Sequence, residues 1–78
     1  MIVQLKFFGG LQEHLPGGTM GPHPTELAAG ATIAEVLAAF GVPEEKPRVF
    51  LVNGRHAKLD RVLEDGDVLA VFPPVAGG

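Results

Sequence analysis

The chain has no cysteine, which excludes a disulfide framework, a cysteine-bound metal and a thiolate nucleophile of its own. Any sulfur chemistry would have to be supplied from outside. It also lacks an apolar run near the ~20 residues that a membrane-spanning helix requires, so no membrane partner is expected. Clustered cations are missing too. Lys6, Lys46, Arg48, Arg55, Lys58 and Arg61 are scattered among acids at a net charge of −3, which argues against nucleic acid as a partner. His14, His23 and His56 lie far apart, without the short spacings of a metal site, so no metal is expected and the three read as surface or turn residues. The opening Met1-Ile2-Val3-Gln4-Leu5-Lys6-Phe7-Phe8 reads as a strand rather than a secretory leader, and a cytoplasmic location is the expectation.

What is present fits one small domain. The 78 residues are 46% hydrophobic and 19% charged, ordinary values for a globular chain. Such a chain buries only about 60–65% of its unfolded surface. Val3, Leu5 and Phe7 alternate with Gln4, Lys6 and Phe8, the pattern of a half-buried strand. Leu11 to Leu15 suggests a short turn, followed by a mobile loop rich in Pro and Gly up to Pro24. That loop lacks the GxxxxGK[ST] pattern and its lysine, so it does not read as a phosphate loop. Thr25 to Ala29 predicts a brief second strand paired with the first.

A helix is predicted from Thr32, whose hydroxyl can cap it while Glu35 reaches back to complete a capping box. Ile33, Val36, Leu37 and Phe40 form its apolar face, and Gly41 with Pro43 ends it. Arg48 to Val52 is a β-branched and aromatic run typical of a central strand. Asn53-Gly54 predicts a hairpin turn, and Arg55 to Leu59 a short return strand. Asp60 to Leu63 is expected to make one helical turn and Glu64 to Asp67 a tight acidic turn. Val68 to Phe72 is the last strand.

The order strand, strand, helix, strand, short strand, strand predicts an α+β fold. It is the ubiquitin-like β-grasp: a mixed sheet of four to five strands packed on one helix, with the first and last strands parallel at its centre. The expected domain is residues 1–72, and residues 73–78 form an extended, flexible tail. Pro73-Pro74-Val75-Ala76-Gly77-Gly78 places two residues without side chains before a free carboxylate. Nothing at Gly77 or Gly78 blocks entry into a narrow cleft, and the two prolines disfavour folding back into a helix. Six extended residues reach about 20 Å. Taken alone, Gly77-Gly78 fits a reactive arm or an inert terminus equally well.

These residues resemble the MoaD/ThiS family of sulfur carrier proteins over nearly the whole chain. Leu5 to Glu13 is similar to the family's opening strand and turn, Thr32 to Leu37 to its helix start, and Val52-Asn53-Gly54 to its central hairpin. Leu63-Glu64-Asp65-Gly66-Asp67-Val68-Leu69-Ala70-Val71-Phe72-Pro73-Pro74-Val75-Ala76-Gly77-Gly78 is the most specific stretch. The FPPVAGG ending most resembles the MoaD branch, the small subunit of molybdopterin synthase. The Leu15 to Pro24 loop is richer in proline and glycine than that branch.

The resemblance implies a carrier rather than an independent enzyme. The Gly78 carboxylate would be adenylated by an E1-like enzyme of the MoeB/ThiF type, which uses ATP and magnesium; this chain binds no cofactor itself. A sulfurtransferase or another sulfur donor would then displace AMP to leave a thiocarboxylate. Pro73, Pro74, Val75, Ala76 and Gly77 would carry it into a MoaE-like large subunit, within a heterotetramer, for transfer to a pterin precursor. Phe8 and Phe72, outward on neighbouring strands by the two-residue period, are the expected partner-binding residues; the lesser alternative is that Phe8 or Phe72 covers a core edge. Arg55, Arg61, Glu64, Asp65 and Asp67 read for the most part as solvated surface, with electrostatic tuning of partner choice as the alternative. Alternatives within the resemblance are a carrier for thiamine thiazole, cysteine or another metabolite, and a ubiquitin-like modifier that forms isopeptides through Gly78. A β-grasp interaction module with an inert tail is the remaining alternative.

Overall fold

The computed structural model describes residues 1–74. The alternation of the first segment becomes β1, Ile2–Phe7, with Val3, Leu5 and Phe7 fully buried. Two short 3-10 turns follow, Leu11–His14 and Pro16–Gly18. Then come β2 (His23–Glu26), α1 (Ile33–Ala39), β3 (Val49–Val52), β4 (Arg55–Ala57) and β5 (Val68–Phe72). The five strands form one sheet in the order β2-β1-β5-β3-β4. β1 runs parallel to β5 and antiparallel to β2, while β3 is antiparallel to both β4 and β5.

α1 covers one face of this sheet. Ile33, Val36 and Leu37 are fully buried and share a core with Val3, Leu5, Phe7, Leu69 and Val71. Thr32 caps the helix through its hydroxyl, which accepts the Glu35 amide at 3.3 Å. The Glu35 carboxylate accepts from the Thr32 hydroxyl, also at 3.3 Å, whereas a reciprocal capping box would bring it to the Thr32 amide. At the other end Gly41 adopts φ +71°. The Val42 amide donates to Leu37 O and the Gly41 amide to Ala38 O. This is a Schellman closure, and it depends on a left-handed residue that glycine supplies without strain.

Three sequence expectations are corrected. β2 is His23–Glu26 rather than Thr25 to Ala29. Pro24 is tolerated there because β2 is an edge strand, where a missing amide need not remove a ladder bond; Leu27 makes the last rung, donating to Met1 O at 2.8 Å. β4 stops at Ala57 instead of Leu59. Asp60 to Leu63 forms no helical turn: Arg61 N closes a turn on Lys58 O, and Val62 makes an isolated antiparallel bridge with Thr32. The cause lies at the start of α1, whose first amides have no partner inside the helix. Ile33 and Ala34 donate instead to the carbonyls of Arg61 and Leu59, and Leu63, itself buried, donates to Ala31 O.

The acidic turn is also more than solvated charge. Asp67 is buried, and its carboxylate accepts from Asn53 Nδ2 and the Glu64 amide, each at 2.8 Å. Asn53 returns the contact through Oδ1, which accepts the Val68 amide at 2.9 Å. Asp65 accepts the Ile2 amide, and Gly66 donates to Ile2 O. The β3–β4 turn is thereby tied to Asp67, and the start of β1 to Asp65 and Gly66.

Candidate functional site at the end of the central strand

β5 is the middle strand, and its C-terminal end carries the chain towards Pro73 and Pro74. The end of β5 is held from both sides, at Phe72 and at Val71. Arg48 N donates to Phe72 O at 2.9 Å, and on the other flank Phe8 N donates to Val71 O at 3.0 Å. The strand end is therefore anchored in a three-strand ladder before any tail begins.

Phe8 and Phe72 lie side by side on the face away from α1. Their rings stack at a centroid separation of 4.6 Å and an interplanar angle of 6°. Val49 pairs with Phe72, and Leu51 pairs with Ala70. Val49, Leu51, Val68 and Ala70 are all half-buried and alternate with core residues. This face is thus largely apolar around the two rings, with Lys6 beside Ala70 in the β1–β5 register.

Pro73 is half-buried and Pro74 exposed. Together with Gly9, Gly10, Glu45 and Lys46 they line an open groove of about 500 Å³. The Pro73 ring rests on Gly9, a contact that the sequence did not announce, because a glycine pair after a strand reads as an ordinary turn. The expected roles of Val75, Ala76, Gly77 and Gly78 fall outside the described residues.

The sequence reading of three separate surface or turn histidines is corrected for two of them, which meet at Phe40. His14 is half-buried with Nδ1 3.2 Å from Phe40 O, and His23 meets the Phe40 ring edge-on at 6.4 Å. Of the three, only His56 is exposed. Among the described residues, no group of three His, Cys, Asp or Glu side chains is placed to hold a metal ion. Nor is any helix among them long and apolar enough to cross a membrane.

A five-stranded mixed sheet with its first and last strands parallel at the centre, packed on one helix, defines the ubiquitin-like β-grasp class. Within that class the sequence model of the ThiS family matches residues 5–78, and the chain belongs to this family of small ubiquitin-like sulfur carriers. A Pyrococcus furiosus protein assigned as molybdopterin converting factor subunit 1 has 29% identity and a TM-score of 0.74, over 96% of this chain and 99% of its own. A chain in the complex of subunits 1 and 2 of molybdopterin-converting factor from Helicobacter pylori 26695 has 26% identity and a TM-score of 0.60, covering 100% of both chains. Small archaeal modifier protein 1 of H. volcanii has 24% identity and a TM-score of 0.73, over 95% of this chain and 98% of its own. That last likeness bears on the fold alone.

Proposed function

We propose that this protein is a sulfur carrier for molybdopterin synthesis, acting in the cytoplasm as the small subunit of a molybdopterin synthase, with the Gly78 carboxyl as the sulfur-bearing group. The observation that carries the reading is the family match, which runs through Gly77-Gly78. The likeness to molybdopterin converting factor subunit 1 supports the choice of pathway. The anchored end of β5 gives a tail a rigid base.

The chemistry follows from the carboxylate. A terminal carboxyl, with an ordinary pKa of about 3.5, is an anion at neutral pH, unreactive as an electrophile but able to attack phosphorus. An E1-like enzyme would direct a Gly78 oxygen onto the α-phosphorus of ATP, releasing pyrophosphate and leaving an acyl-adenylate. Hydrosulfide would then add to the carbonyl and expel AMP, giving the thiocarboxylate. A persulfide from a sulfurtransferase would give an acyl disulfide, whose S–S bond a thiol must then cleave. The stacked Phe8–Phe72 face would dock the activating enzyme and later the MoaE-like large subunit, each of which would receive residues 73–78 in its own cleft.

The test is intact mass of the full chain after incubation with the E1-like enzyme, ATP, magnesium and sulfide. Oxygen-to-sulfur exchange is expected in the wild type and is lost in Gly78→Ala and in the Gly78 deletion, with the fold unchanged. Normal loading of either variant sinks the reading. Recovery of the chain attached to lysines of other proteins would replace it with a protein modifier. Co-purification with a MoaE-like subunit is the expected sign of the molybdopterin pathway.

A further inference from the structure

We propose that Gly9 is a positioning residue for the reactive arm: its bare Cα is the seat on which the Pro73 ring rests, and that seat sets the heading of the chain as it leaves β5. The proposal builds on the sulfur-carrier reading and assigns part of it to a residue at the far end of β1.

Gly9 has φ +64°. A Cβ built there would overlap Pro73 Cγ and lie 2.7 Å from Pro73 Cδ, while Pro73 Cβ stands at 3.8 Å, an ordinary contact. Of the Pro73 atoms, the ring carbons beyond Cβ are the ones that exclude a side chain at position 9. Both partners are held from behind. Phe8 is bonded through its amide to Val71 O, and the Phe8 carbonyl accepts the Leu11 amide. On the other side Phe72 O is occupied by the Arg48 amide. Proline cannot continue the ladder because it has no N–H, and its ring fixes φ. At Pro73 lateral packing on Gly9 thus takes over from hydrogen bonding as the restraint on direction.

The neighbouring residue provides an internal control. Gly10 is also left-handed, at φ +95°, but a Cβ there would have nothing within 4 Å. Alanine at either position suffers an unfavourable backbone conformation; only at Gly9 does it also displace Pro73.

The experiment measures sulfur loading of the full chain by the E1-like enzyme with ATP, magnesium and sulfide, read by intact mass. It compares wild type, Gly9→Ala, Gly10→Ala, Pro73→Ala and the double variant Gly9→Ala/Pro73→Ala. A displaced reacting group lowers turnover more than binding, so Gly9→Ala is expected to reduce kcat by ~10- to 100-fold with KM within about twofold. Gly10→Ala is expected to stay near the wild type. The double variant keeps the strained residue 9 but loses the ring, and is expected to load at the Pro73→Ala rate. In the wild type, NMR should show contacts between the Gly9 α protons and the Pro73 ring.

Loading of Gly9→Ala at the wild-type rate overturns the proposal, as does an equal loss in Gly10→Ala, a double variant slower than Pro73→Ala, or absence of the NMR contact. If Gly9→Ala does not fold, a double variant that folds and matches Pro73→Ala upholds the proposal, and one that fails alike overturns it. A wild type that takes up no sulfur brings down the carrier reading and this role with it. A wild type that loads beside unaffected variants brings down this role alone.

Discussion

The rings of Phe8 and Phe72 lie parallel, 4.6 Å apart, on the sheet face opposite the helix. The β1–β5 register produces this pairing: Phe7 sits beside Val71, so the next residue on each strand turns to the outer face. Because each ring shields the other, both are half-buried rather than exposed. An offset aromatic pair of this kind adds ~0.5–1.5 kcal/mol beyond its area.

Phe8→Ala and Phe72→Ala are each expected to lower stability by about 1–2 kcal/mol, with a coupling of ~1 kcal/mol in the double-mutant cycle. Calorimetric titration against the large subunit should show each variant binding ~10- to 100-fold more weakly, as for an aromatic anchor at an interface centre. Unchanged affinity in both would reduce the pair to a cover over the sheet.

Asp67→Ala removes the acceptor for Asn53 Nδ2 and the Glu64 amide at a buried site. Leaving such donors without partners costs roughly 2–4 kcal/mol. Urea denaturation should register that loss, and Asp67→Asn, which keeps one acceptor oxygen, should lose less. A silent Asp67→Ala would mean that the Asn53–Asp67 clasp contributes no net stability.

Thr32→Ala deletes the cap on the Glu35 amide and should cost about 0.5–1 kcal/mol, with most of it recovered by Thr32→Ser. Thermal melts of the three chains decide this. A serine variant as weak as alanine would show that the methyl group, not the hydroxyl, carries the effect.

Leu5 and Leu69 are paired across the two central strands and fully buried. Truncating either to alanine should cost about 2–5 kcal/mol, a large share of the roughly 4–12 kcal/mol expected for a domain of 78 residues. Far-UV circular dichroism during urea titration should find both variants close to unfolding, whereas deletion of Gly78 leaves the midpoint unmoved. Equal midpoints for Leu5→Ala and the wild type would contradict the assigned core.

The contrast between β1 and β2 shows where sequence patterns were legible. Val3, Leu5 and Phe7 announce a strand because alternation is intrinsic to the chain and each burial repeats the same rule. His23–Glu26 carries no such pattern, and its strand is imposed by pairing with β1. Asp60 to Leu63 fails for a related reason: its carbonyls serve the amides of α1, which lies far away in sequence. At the site, Phe8 and Phe72 were visible as outward positions from the two-residue period. Their stacking was not, because period gives a face and only register gives a neighbour.

The sequence by itself determined the order of the strands and of α1, the buried faces of β1, α1 and β5, the absence of a thiol and, over residues 5–78, the family. Those are local properties, written in periodicity, caps and residue type. Tertiary structure alone decided that Asp67 is buried in a clasp, that His14 and His23 converge on Phe40, and that Gly9 receives the Pro73 ring. Each of these joins residues remote along the chain, and no local preference specifies which carbonyl, ring or bare Cα will stand opposite until the sheet has closed.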